Sequence, residues 1–462
     1  MHTGAKGEMT AFFALLFVVL IGLAGALMES ASIQSAKNYR RADMNRAIES
    51  VFAEYQKELL EEYDLFALEA SYESGVWKED HVLERLSFYG AGSMEQELTR
   101  MELLTDGNGM PFLNQVSVWF RHRYGLDRLE GLLGQARQWE SSEEEMRKFR
   151  FLEEEKEEEL ASLLEEQNAV LPEADNPLHT VSRLKESPLL SLVLPEGKTV
   201  SSKQIDPGQQ VSVRTLREGY GTFGDVAEEG TASRLALGVY LQDHFSSAVP
   251  EQETKDTGSA GALDYELEYI IGGKAGDAEN LEVVLGRLLL IRLVSNFAFL
   301  QSDPEKKGEA AAAAGVLCTL LTVPAITEAV TQALLLAWAF GESVVDLRAL
   351  LGAKKVPPVK TAESWQLSFS GLLTLGSEGD REEGRDTESG MSYQDYLQIL
   401  LFLVSPEKAA MRSLDLIEQH LQTGKGFSWF RADQCITKIS VRTRCSLRRG
   451  IRYTFTTYYG YR

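Results

Sequence analysis

The sequence predicts a mainly α protein (α+β) in which a long N-terminal transmembrane helix continues into a helical body that closes with a short C-terminal β-hairpin. Three observations predict this. Met9–Met28 carries no charge. Apolar side chains then recur at three- and four-residue steps, as in Ile48, Val51, Phe52, Tyr55, Leu59, Tyr63 and Phe66. Strict alternation, the period of a strand, is confined to the segment after Cys435.

The N-terminal run is long enough to span a bilayer, since about 20 residues at 1.5 Å rise cross a ~30 Å hydrocarbon core. Lys6 precedes it and Glu29 ends it. A retained span is expected, but Ala24-Gly25-Ala26 also offers a small-x-small site for cleavage as a secretory signal. No glycine falls between Gly25 and Gly75 and no proline before Pro111, so span and stripe read as one helix from about residue 8 to about residue 68. A bend near Ser30–Ser35 dividing it in two is the alternative. Charge alone gives an ambiguous orientation. Lys6 lies on one side and Lys37, Arg40, Arg41 and Arg46 on the other, which by the positive-inside rule would place the body in the cytoplasm.

Leu83–Leu104 reads as mixed helix and loop, and Asp106-Gly107-Asn108-Gly109 as a turn. Phe112–Leu133 and the Glu-rich Glu143–Glu166 read as the helices of a hairpin, the second a solvated face rather than a coiled coil, because no heptad seam persists. Five prolines between Pro172 and Pro207 mark a linker with short β-like runs at Leu189–Leu194 and Val211–Leu216. Helices follow at Ala232–Phe245, Leu281–Leu300, Tyr393–Leu403 and Pro406–Leu421, with loops at Pro250–Ala262 and Gly376–Ser392. Ala310–Leu350 is apolar enough to invite a second span, but Pro324, Glu328, Glu342, Asp346 and Arg348 would be costly in lipid, so it reads as two buried helices. Ile436–Cys445 places Lys438, Ser440, Arg442 and Arg444 on one face and Ile439 and Val441 on the other. Arg448-Arg449-Gly450 then turns the chain. The division expected is 1–70 (membrane and projecting helix), 71–171 (helical hairpin), 172–230 (linker), 231–430 (helical domain) and 431–462 (basic hairpin).

Candidate chemistry is sparse. Three cysteines, Cys318, Cys435 and Cys445, are too few for a disulfide framework, and six scattered histidines offer no metal-binding spacing, so no metal and no cofactor is expected. Gly219-Tyr220-Gly221-Thr222-Phe223-Gly224 fits G-x-G-x-x-G, but Gly230 breaks the helix that a dinucleotide site needs, so a loop is expected. Asp264, Glu266 and Glu268 form a carboxylate run. In a chain with 69 acidic residues they read as surface or salt-bridge groups. A net charge of -22 excludes nucleic acid as a general partner. Arg442, Arg444, Arg448 and Arg449 are the candidates for contact with an anionic partner, with this chain's own acidic body as the bland alternative.

The N-terminal stretch Lys6-Gly7-Glu8-Met9-Thr10-Ala11-Phe12-Phe13, the span, and then Glu29-Ser30-Ala31 and Ser50–Phe66 resemble an uncharacterised family of bacterial single-pass membrane proteins. That family is linked to tight-adherence (Flp-type) pili and has a minor-pilin-like N-terminus. Glu268–Lys274, Ser343–Leu351, Lys360–Ser368 and Tyr393–Leu397 carry the same resemblance. It implies a cytoplasmic N-terminus and an extracytoplasmic body, since long domains translocate largely regardless of nearby charge. It also implies possible prepilin-type processing at Gly7 and Glu8, although Phe12 stands where many pilins carry Glu. The function expected is that of a non-enzymatic, pilin-like accessory component of a pilus or related secretion apparatus. Its partners would be the membrane and other proteins of that apparatus, with no small-molecule substrate. The alternative is an envelope-bound binding module or adhesin that holds cell-wall polymers through the basic hairpin.

Overall fold

The N-terminal helix has to serve two environments, and its side chains divide accordingly. In the computed structural model, which describes residues 5–172, 175–224, 230–250, 261–377, 380 and 383–461, α1 spans Ala5–Phe52. Its apolar half is exposed all round, from Met9 at 64% to Met28 at 75%. An 18-residue window there has a mean hydropathy of 2.7 with no residue buried. The helix is therefore long and apolar enough to anchor the chain in a membrane. Its second half is amphipathic: Met44, Ala47, Ile48, Val51 and Phe52 are buried at the spacing of one helical face.

The chain forms two units. The first comprises Met1–Gly107, Leu216–Val226 and Ser428–Arg462. Here α1 is followed by α2 (Lys57–Tyr63), β1 (Leu68–Glu69), α3 (Glu79–Leu86) and β2 (Glu95–Leu103), and the unit is completed by β3 (Cys435–Ser446) and β4 (Arg452–Gly460). All pairings are antiparallel: β3 lies between β1 and β2 and also pairs with β4. The buried face of α1 shares one core with Leu98, Met101, Ile436, Ile439, Val441 and Phe455.

The helix ends sooner than the apolar stripe suggested. The Tyr461 hydroxyl donates to the Phe52 carbonyl at 2.5 Å, and the Phe52 ring packs on Tyr459 and Tyr461 with centroids 4.8 and 5.0 Å apart. The C-terminal aromatics thus cap α1, and Leu59 and Tyr63 continue the stripe from the separate α2. The mixed segment 83–104 contains a full strand, β2, whose partner lies more than 300 residues away.

The second unit, Asn108–Thr215 with Ala227–Phe427, is inserted in sequence between β2 and β3 and is helical. The D-G-N-G turn is present: Gly107, Asn108 and Gly109 have φ of 56°, 58° and 85°, a left-handed turn. Right-handed helix follows, with Pro111 near its start, where a missing N–H does no harm. The helical run α4 then continues to Glu166, with a left-handed residue at Gly125 (φ 71°). Phe149 packs on Phe297 and Trp139 on Phe402, so the charged helix has one buried side.

Next come α5 (Pro177–Glu186) and α6 (Leu189–Val193). The run Leu189–Leu194 is thus a helical turn started by Pro188, not a strand, and no strand forms at Val211–Leu216. Then follow α7 (Thr231–His244), α8 (Glu266–Gly272), α9 (Asp277–Ser302), α10 (Pro304–Leu320), α11 (Thr327–Leu351), α12 (Gly371–Thr374), α13 (Tyr393–Leu403) and α14 (Pro406–Gln419). Ala310–Leu350 supplies α10 and α11 as two helices, and α11 is buried along most of its length. α9 also has the length and hydropathy of a span, but half of its apolar window is buried and it carries Arg292. Of the expected loops, residues 251–260, 378–379 and 381–382 lie outside the described residues.

Phe52→Ala removes a buried ring and the packing of the C-terminal tyrosines, so about 3–5 kcal/mol of stability should be lost. Thermal unfolding of the purified full chain in detergent checks this. The conservative Phe52→Leu should lose markedly less.

Candidate functional site

The basic hairpin is built as expected, and three of its cations pair with carboxylates of its own sheet. Lys438 and Ser440 are buried, which leaves Arg442 and Arg444 as the exposed part of that face. Arg442 approaches Glu97 of β2 at 3.3 Å and Arg444 the same carboxylate at 3.6 Å, while Lys438 pairs with Glu102 at 3.0 Å. Arg448 is exposed in the turn between β3 and β4, and the side chain of Arg449 lies outside those described. Of the described arginine side chains, Arg442 and Arg444 thus share one carboxylate of their own sheet. Cys435 and Cys445 both lie in β3, and neither is in a disulfide among the described residues. Gly7 and Glu8 lie in the first turns of α1, with Glu8 exposed.

The G-x-G-x-x-G stretch has a structural explanation. Tyr220 exchanges both backbone hydrogen bonds with Met101 of β2, each 2.9 Å. Gly219 donates its N–H to the Asp106 carboxylate at 2.9 Å. A Cβ at position 219 would collide with Asp106 and the Met101 carbonyl. The glycine is needed for that close approach, and the stretch is a loop along β2.

The carboxylate run departs from expectation. Asp264 is the surface member, paired with Lys203 at 2.7 Å. Glu266 and Glu268 are buried, and neither forms an ion pair among the described residues. The reason is local. α8 follows directly on Tyr265, and its carboxylates turn inward to collect N–H and O–H donors. Glu266 accepts from the Ser246 N–H and hydroxyl, both at 3.0 Å. Glu268 accepts from the Ala248 N–H at 3.0 Å and the Tyr393 hydroxyl at 2.7 Å, while its Oε2 has no hydrogen-bond partner among the described residues. Burial outweighs these bonds and pushes both carboxyls up to about 7.

The densest polar cluster lies between α9, α11 and the segment 357–367. Arg292 and Asn296 share one face of α9 and Glu342 and Asp346 one face of α11, each pair four residues apart. Arg292, Asn296, Glu342 and Asp346 are 0% exposed and Lys360 2%. Arg292 Nε donates to Asp346 Oδ2 at 3.0 Å, and its Nη1 to the Pro357 carbonyl and the Tyr396 hydroxyl, both at 2.9 Å. Asn296 donates to the same Oδ2 at 3.0 Å. Lys360 Nζ meets Asp346 Oδ1 at 2.7 Å and also Glu342. Glu342 further accepts the N–H groups of Gln366 and Leu367. Burial raises the Glu342 carboxyl above the usual range, with Lys360 opposing it. A cavity of about 750 Å³, lined by Trp139, Ile291, Phe299, Pro358, Lys360 and Tyr396 among others, opens beside the cluster.

The sequence profile of a family of unknown function (DUF5702) matches residues 167–447, more than half of the chain, and the chain belongs to that family. No curated protein and no solved structure matches it.

The two buried glutamates make stability depend on pH. A carboxyl held at about 7 in the folded chain and at the ordinary glutamate value of 4.5 when unfolded binds its proton more tightly when folded. Its contribution is fully favourable below the unfolded value and is lost as pH rises toward the folded one, by up to about 3 kcal/mol. The melting temperature should fall between about pH 5 and about pH 8, and Glu268→Gln should flatten that fall by roughly half. Equal slopes for the two proteins would contradict the assignment.

Proposed function

We propose that this DUF5702 family member is a non-enzymatic, membrane-anchored accessory component of a pilus or related secretion apparatus of the tight-adherence kind, pilin-like at its N-terminus. The cytoplasm would hold the N-terminus and the body would lie outside. One observation carries the reading: the division of α1 into a wholly exposed apolar half and an amphipathic half built into the core of the first unit. A helix of that kind is both anchor and stem. Side chains that lipid would bathe are free to meet helices of neighbouring subunits, while the other end is rigidly joined to a folded body.

The residues after the span support the orientation implied by the pilin-like N-terminus. Arg40 donates to Ser93 at 2.5 Å, and Lys37 and Arg41 lie over the Tyr453 ring at 5.0 and 5.3 Å. These cations are engaged by the fold, which weakens the charge argument for a cytoplasmic body. Phe12, exposed at the place where many pilins carry Glu, favours an anchored accessory over a polymerising subunit.

The alternative, an envelope-binding module that works through the basic hairpin, has less in its favour. Arg442 and Arg444 share Glu97, and the aromatics Tyr459 and Tyr461 are committed to Phe52.

Photo-reactive groups placed at the exposed positions Phe13, Phe17, Leu20 and Leu27 should trap pilus or secretion proteins in native cells. A pattern of lipid adducts alone, with no such protein captured from any position, would end the assembly reading.

A further inference from the structure

We propose that Lys360 and Asp346 are joined by an intramolecular amide bond, formed by the chain itself with Glu342 as the proton-transfer group. The geometry is that of an assembled reaction centre. The Lys360 ammonium lies at 2.7 Å from Asp346 Oδ1 and also contacts Glu342, and all three side chains are 0% exposed. The two Asp346 oxygens are held differently. Oδ2 accepts from Arg292 Nε and from Asn296 Nδ2, each at 3.0 Å. Oδ1 has the lysine and no hydrogen-bond partner beyond it among the described residues. Oδ2 is therefore placed to hold the negative charge of a tetrahedral intermediate, and Oδ1 is placed to leave.

The step balances without any added reagent. A proton passes from Nζ to Glu342, which frees a lone pair to attack Cγ of Asp346. The Nζ–Cγ bond forms and the Cγ–Oδ1 bond breaks. Glu342 relays protons from Nζ to Oδ1, which departs as water with two of the three ammonium protons. The third stays on the amide nitrogen. One ammonium and one carboxylate become one neutral amide and one water, nothing is oxidised or reduced, and Glu342 and Arg292 end as they began.

Two physical effects favour a condensation that is unfavourable in bulk water. Of the four buried ions the amide removes two, the Lys360 ammonium and the Asp346 carboxylate, and with them their desolvation cost, while Arg292 and Glu342 stay charged. The reacting groups are fixed at contact distance, which replaces a bimolecular encounter by a local step. The adjoining cavity, lined by Lys360 and Tyr396 among others, lies next to the cluster. Glu342 suits its role because burial keeps its carboxyl inclined to hold a proton. The bond would tie α11 to the segment 357–367. It is independent of the assembly reading.

The test is peptide mapping by mass spectrometry of the full chain purified from membranes. The expected result is a branched peptide that contains both Asp346 and Lys360 and is lighter than the sum of its two arms by one water. Glu342→Gln should yield the two arms unlinked and at full mass. Linear peptides with unmodified Asp346 and Lys360 from folded wild-type protein would overturn the proposal, as would a link to Glu342 instead. Undiminished linkage in Glu342→Gln would overturn the role given to Glu342.

Discussion

The first unit is organised by α1, one continuous helix with a wholly exposed apolar half and an amphipathic half. Hydrogen bonding within the helix is what would allow its apolar half to stand in lipid, where backbone groups have no water to turn to. The same helix, unbroken to Phe52, then presents Met44, Ala47, Ile48, Val51 and Phe52 to the sheet. That sheet is assembled from distant parts of the chain. Thr99 on β2 bonds Ser440 on β3 across 341 positions, so the whole helical insertion intervenes between neighbouring strands. Pairings of such separation form late and slowly. The core face of α1 and the tyrosine cap at its end supply the surface on which they close.

The helical unit faces a different constraint. Its longest apolar helices carry charges that cannot stay unpaired in a dry interior. Arg292 from α9 and Asp346 from α11 answer one another, Lys360 answers Glu342 and Asp346, and the backbone of segment 357–367 supplies the remaining donors and acceptors. Such pairing adds less to stability than apolar packing would, but it fixes register, because a displaced α11 would leave several buried charges without partners. Glu266 and Glu268 meet the same demand in another way. Among the described residues they have no cation partner and take donors from the backbone, Ser246 and Tyr393, at the expense of a raised proton affinity.

Much of this was legible from local sequence. Tyr393–Leu403 forms a helix with the bounds expected; Ser392 and Asp395 form a capping box at its start, and Pro406 opens the next helix. The basic hairpin was found by its alternation. Misreadings arose where tertiary contacts decide. α1 stops at Phe52 because of Tyr461, which no local pattern announces. Leu189–Leu194 is a short apolar run whose period cannot separate strand from helix. β2 looks irregular because only Leu98, Met101 and Leu103 of its nine residues are buried. The central cluster did leave a signal. Glu342 and Asp346, four apart in an apolar run, argued against lipid, and the same fact points to a buried partner. Lys360 lies outside any periodic segment, so no local pattern pairs it with them.

In the proposed topology one N-terminal helix holds the body outside the cytoplasm, and thiol labelling tests that topology most directly. Cys318, Cys435 and Cys445 are all buried, so the native background is low. Val170 is 83% exposed and accepts a cysteine without loss of packing. With Val170→Cys, a membrane-impermeant maleimide should label the protein in intact cells. Labelling that appears only after the cells are broken open would place the body in the cytoplasm and contradict the account.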